Sequence, residues 1–156
     1  NPGKLACKFT YYGINWEGTE SKQEIAKGGA IRYAEFINNN QDMMISDDLT
    51  ANQGKTPLIR WQFATPAAAS VVMNNGKQYF KLEQAGKTLY VAINIKEFIP
   101  GNGTDAAPVI ALKTWDAKGT KEYDVPNPGV TMCGYDFQMN GGDQIKLTAI
   151  FSESMQ

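Results

Sequence analysis

Apolar and polar residues alternate along much of this chain. Between Lys4 and Tyr12, the residues Leu5, Cys7, Phe9 and Tyr11 share one face, while Lys4, Lys8 and Thr10 share the other. A period of two puts successive side chains on opposite sides of a pleated backbone, so the pattern predicts a half-buried strand. Thr88–Lys96 repeats it with Leu89, Val91, Ile93 and Ile95, and Gln144–Phe151 repeats it with Ile145, Leu147, Ala149 and Phe151. Shorter runs predict strands at Ala30–Ile37, Pro57–Phe63, Ser70–Met73, Gln78–Glu83, Pro108–Trp115, Lys121–Val125 and Val130–Phe137.

The breaks between these runs carry turn chemistry. Asn74-Asn75-Gly76-Lys77 holds the Asn-Gly pair that a type I′ hairpin needs, because both central residues take positive φ. Gln84-Ala85-Gly86-Lys87, Asp116-Ala117-Lys118-Gly119 and Asn140-Gly141-Gly142-Asp143 also read as tight turns. Thr19–Lys27 departs from the pattern: it is rich in helix formers and ends at Gly28-Gly29, which predicts one short helix near residues 19–27. Asn38–Lys55 and Phe98–Ala107 read as long irregular connections, the kind that often carries function. Short strands with a turn every ten residues or so predict an all-β fold. The expectation is a two-sheet antiparallel β-sandwich, jelly-roll or immunoglobulin-like, forming one domain over residues 1–156.

Composition narrows the function. The 42% apolar and 20% charged residues are ordinary for a globular domain, and no apolar run is long enough for a membrane-spanning helix. Fifteen basic against sixteen acidic residues leave a net charge of -1, which gives no global pull toward nucleic acid. The chain has no histidine. That removes Ser-His-Asp and Cys-His catalysis and most zinc, copper and non-haem iron sites, so the expectation is a protein without catalytic residues or cofactor. The first residue is Asn1 rather than Met, which reads as a processed or trimmed start.

The candidate chemistry is sparse. Asp47-Asp48 and the scattered Glu17, Glu20 and Glu24 lack the spacing of a glycosidase acid and base, and read as solvated carboxylates. Asn102, Thr104 and Asp105, or Asn140 and Asp143, offer hard oxygens to a calcium ion without forming a specific calcium loop. Asn102-Gly103-Thr104 matches a glycosylation acceptor. Cys7 and Cys133 lie near opposite ends and read either as a disulfide or as two buried thiols. Trp61 alternates with Ile59 and Phe63 and belongs to the core, whereas Tyr12, Trp16 and Trp115 are the candidate ligand-binding aromatics.

These features point to an extracellular or surface-associated binding or assembly domain. The leading reading is a subunit of a pilus, adhesin or virion surface, docking to protein partners or to itself through strand edges. A carbohydrate-binding module or lectin is the alternative, because Trp and Tyr faces stack on sugar rings and Asn side chains suit hydroxyls. An OB-type binder of single-stranded nucleic acid comes third, and the near-neutral charge weighs against it.

Overall fold

The computed structural model describes the backbone of residues 5–9, 13–14, 20–21, 30–118 and 127–155, with the side chains of Leu5, 30–118 and 127–155. It is built of antiparallel strands: β1 (Leu5–Phe9), β2 (Gly13–Ile14), β3 (Glu20–Ser21), β4 (Ala30–Ile37), β5 (Asp42–Thr50) and β6 (Leu58–Thr65), then β7 (Ala68–Asn74), β8 (Lys77–Gln84), β9 (Lys87–Ile99), β10 (Lys113–Asp116), β11 (Thr131–Gln138) and β12 (Gln144–Ser152). Seven of them form one sheet in the order β1-β4-β5-β12-β9-β8-β7, three form a second in the order β10-β11-β6, and β2 pairs with β3. The β-sandwich is therefore as the alternation predicts. Of the helix expected over residues 19–27, Glu20 and Ser21 are described, and they pair as strand with Gly13 and Ile14; the rest lies outside the described residues.

Alternation decides which side chains fill the space between the sheets. Val91 and Ile93 of β9, Phe80 and Leu82 of β8, and Ile145, Leu147 and Ala149 of β12 are buried on one side; Trp61, Cys133, Tyr135 and Phe137 of β6 and β11 are buried on the other. Phe63 joins the two layers, its ring 5.7 Å from Phe80 and 5.5 Å from Phe151 in edge-on contacts that favour aromatic pairs. Trp61 stacks on Tyr135 at 5.6 Å and Tyr135 on Phe137 at 5.9 Å, giving the smaller sheet an aromatic inner face.

Two of the four predicted Gly-containing turns, at Asn74–Lys77 and Gln84–Lys87, close hairpins as expected. Asn75 and Gly76 take φ of 49° and 77°, and Ala85 and Gly86 take 51° and 76°, the left-handed pair of a type I′ turn. The segment from Asn38 to Lys55 is different: it is not one irregular connection. Asn38, Asn39 and Asn40 all have positive φ (50°, 57° and 68°), so three asparagines make a compact turn, and β5 follows at once. Of the predicted tight turn at Asp116–Gly119, Asp116, Ala117 and Lys118 are described. The Ala117 N–H donates to the Val130 carbonyl at 3.0 Å, so the chain continues beside β11 past Asp116. Gly119 and the strand predicted at Lys121–Val125 lie outside the described residues. Of the strand predicted over Pro108–Trp115 only Lys113–Trp115 is strand, which continues to Asp116; the preceding residues cross from one sheet to the other.

Candidate binding surfaces

On the three-stranded sheet, Cys133, Tyr135 and Phe137 of β11 point inward, so Met132, Gly134 and Asp136 belong to the outer face. Register then sets their neighbours. Gly134 lies between Lys113 on one side and Gln62 on the other, while Arg60 stands opposite Asp136. Trp115 lies two residues beyond Lys113 on the same face and is half-buried there. Its ring settles over β11 because residue 134 is glycine. A Cβ at that position would lie 3.0 Å from the ring carbon Cη2 and 2.4 Å from the Trp61 carbonyl oxygen.

Two cations converge on this indole. The Arg60 Cζ lies 5.5 Å and the Lys113 Nζ 5.6 Å from the ring centroid. Asp136 holds both: Arg60 donates through Nε at 2.6 Å and Nη2 at 2.9 Å, and Lys113 donates to Oδ2. A forked guanidinium fixes a carboxylate better than a single ammonium does, and the hydrogen bond from Arg60, followed by that from Lys113, holds the Asp136 carboxyl well below the usual range. Trp115, a candidate from the sequence, thus sits in an ordered Trp–Arg–Lys–Asp group. Neither Arg60 nor Asp136 was distinguishable by sequence, because the pair meets only through the register of β6 and β11, 76 residues apart.

A second Arg–Asp–Trp group lies inside. Asp47 faces the core directly opposite Arg32. It accepts from Arg32 Nε at 2.7 Å and Nη2 at 3.0 Å, and from the Trp61 indole N–H at 2.8 Å. The reading of Asp47 as a solvated loop carboxylate is corrected: β5 turns Asp47 inward, and only Asp48 faces out, toward Lys146. Next to it the Tyr135 hydroxyl is buried and has no hydrogen-bond partner among the described residues. Burial first, and the Asp47 charge second, push its pKa upward.

The two loops that offered calcium ligands do come together, but their oxygens are occupied by donors. Asp143 accepts from the backbone N–H groups of Gly101 at 2.8 Å and Asn140 at 2.7 Å. Asn102 accepts from the N–H groups of Thr104 and Asp105, and the Asn140 amide donates to Asp105 at 2.7 Å. The loops touch through backbone; a Cβ on Gly101 would lie 2.2 Å from the Gly141 carbonyl oxygen. This is the arrangement of a knot that fastens one end of the sandwich. Among the described residues, no group of three or more His, Cys, Asp or Glu is placed to hold a metal.

Cys133 is a free, fully buried thiol, so the alternative of a bridge to Cys7 is not formed in this structure. Burial pushes that thiol up to about 11. The side chain of Cys7 and the candidates Tyr12 and Trp16 lie outside the described residues, so Trp115 stands without them.

The sheet edges complete the survey. β1 pairs with β4, and β12 lies in the middle of the larger sheet, so both terminal strands are paired within their own chain. β7 ends the larger sheet: it hydrogen-bonds to β8 on one side, while β10 runs beside it in the other layer without joining its ladder. Its sequence, Ala-Ala-Ser-Val-Val-Met-Asn, carries no charge and no proline. At its end Met73 is 61% exposed, and Val109, which shares a groove with it, is 88% exposed. No known protein family matches the chain, and no curated protein matches it.

Proposed function

We propose that this chain is a non-catalytic, extracellular or surface-associated assembly subunit that docks to a neighbouring copy through strand pairing at β7. The observation that carries the reading is the character of that edge. Natural edge strands are shielded by lysines, proline, bulges or covering loops, because an open row of backbone groups recruits another strand. β7 carries no lysine and no proline, and near its end Met73 is exposed beside Val109 of the segment that leads to β10. In the hairpin to β8 the alternation of paired positions turns the backbone N–H and C=O groups of Ala69, Val71 and Met73 away from β8. An antiparallel β7–β7 contact is isologous and self-complementary, and it brings no charges together. Of the terminal strands, β12 is closed to this route because it lies between β5 and β9, and β1, the opposite edge of the sheet, includes Lys8, a charge of the kind that shields an edge.

Light scattering behind size-exclusion chromatography tests this. Dimers or larger species are expected to grow with concentration. The double variant Ser70→Lys/Met73→Lys puts like charges along the edge, which repel across a self-paired contact, and is expected to be monomeric with an unchanged fold. A chain that remains monomeric at every concentration, or a double variant that assembles as well as the parent, overturns the reading.

A further inference from the structure

We infer that the outer face of the three-stranded sheet is a binding site for a saccharide that carries a carboxylate, with Trp115 as the platform for the ring and Arg60 and Lys113 as the groups that read the acid. The site lies on a different sheet and on different residues from the β7 edge, so it stands or falls independently of assembly.

Three observations support it. The first is position: a tryptophan on the solvent side of a sheet is seated over Gly134, where any side chain would collide with the ring and with the β6 backbone. The indole is therefore held by strand geometry rather than by a loop, and strands place a recognition group with little ordering left to lose on binding. The apolar face of a pyranose packs against such a ring, as aromatic surfaces pack against other flat apolar groups. The second is charge. Two cations lie within 5.6 Å of the ring centroid and share one carboxylate, so the group keeps an excess of one positive charge in a chain whose net charge is -1. A ligand carboxylate beside the ring takes the guanidinium fork or the ammonium that Asp136 now holds. The third is the polar rim. Exposed Gln62 stands across from Gly134 and offers both donor and acceptor, and the Asp136 carboxylate accepts from hydroxyl donors.

Isothermal titration calorimetry of the full chain with trigalacturonate, neutral galactotriose and succinate tests the assignment. Trigalacturonate is expected to bind at least about tenfold more tightly than either of the others, and to weaken at high salt. Trp115→Ala and Arg60→Gln are each expected to lose about tenfold or more. Trp115→Phe keeps an aromatic over Gly134 and is expected to fall between wild type and Trp115→Ala, with melting curves checking that all variants fold. Asp136→Asn releases both cations and is expected to tighten binding. Equal binding of galactotriose removes the role of charge, and equal binding of succinate removes the role of the ring; either overturns the inference. So does the absence of binding by trigalacturonate, or binding that Trp115→Ala leaves unchanged.

Discussion

The molecule contains the same chemical group twice. Arg32 and Asp47 face each other across β4 and β5, and Arg60 and Asp136 face each other across β6 and β11. Each arginine makes a forked pair of bonds, at 2.7 and 3.0 Å inside and at 2.6 and 2.9 Å outside, and each lies against a tryptophan. Burial separates them. The Asp47 side chain is 6% exposed, whereas Asp136 and Arg60 are 23% and 53% exposed. Removing water from a carboxylate makes its partners obligatory, so the inner group is a structural tie. The outer group remains in contact with water and can exchange partners, which is what a recognition surface needs.

The largest expected effect follows directly. Asp47→Ala strands the Trp61 indole N–H without its acceptor and leaves Arg32 without its forked partner, and is expected to destabilise the fold by about 3 kcal/mol or more. Asp136→Ala is expected to behave as an ordinary surface change. Urea denaturation of the two variants checks the contrast; equal losses would break it.

Gly134 couples the two groups, and its substitution comes next. A methyl there meets the Trp61 backbone on one side and the Trp115 ring on the other. The backbone oxygen cannot move without disturbing the β6–β11 ladder, so Gly134→Ala is expected to cost about 1–3 kcal/mol, in the range of overpacked sites. It is also expected to displace Trp115 and abolish saccharide binding. A stable Gly134→Ala protein with unchanged binding would show that the ring does not depend on this seat.

How far the sequence reaches is visible in the same residues. Gln144–Phe151, whose alternation is unbroken, and the shorter run Ala30–Ile37 are found as strands where the sequence places them, and Trp61 is buried as its alternation with Ile59 and Phe63 predicts. β5 was illegible for a physical reason. Its inward positions are Met43, Ile45, Asp47 and Leu49, and a charge in that series breaks the apolar pattern at Asp47, whose ionic partner Arg32 stands opposite it on β4. Preceded by three asparagines, the segment resembles a loop. Trp115 was legible as an aromatic beside Lys113 on an outer face. Its companions Arg60 and Asp136 were not, because only register brings them together. The long connection after Phe98 was legible as irregular but not as a knot, since its close contacts depend on glycines in the loop at 140–143.

A smaller effect, of opposite sign, is expected at Tyr135. Its hydroxyl is buried beside the inner group with no partner among the described residues, so burial there carries a desolvation cost that none of them offsets. Tyr135→Phe keeps the ring stacked on Trp61 and removes that cost, and is expected to leave stability unchanged or raise it by up to about 1 kcal/mol. A loss of stability would show that the hydroxyl contributes a bond the aromatic stack requires.

The smallest effect concerns pH, and it isolates the outer group alone. The Asp136 carboxyl is held below the usual range, chiefly by Arg60 and then by Lys113. A group whose folded pKa is depressed contributes stability above its unfolded pKa of about 3.9, and loses that contribution as pH falls through the folded value. Wild type is therefore expected to melt slightly higher than Asp136→Asn from neutrality down to about pH 4, and the gap is expected to close as the pH falls further. Added salt is expected to narrow the gap at neutral pH, because the pair is open to solvent and its attraction is screened. Melting curves of both proteins across this range read the difference without reference to any ligand. A gap that persists unchanged at the acidic end, or one that ignores salt, would mean that Asp136 acts through packing rather than charge. The outer group would then resemble the inner one, and the division of roles between them would fail.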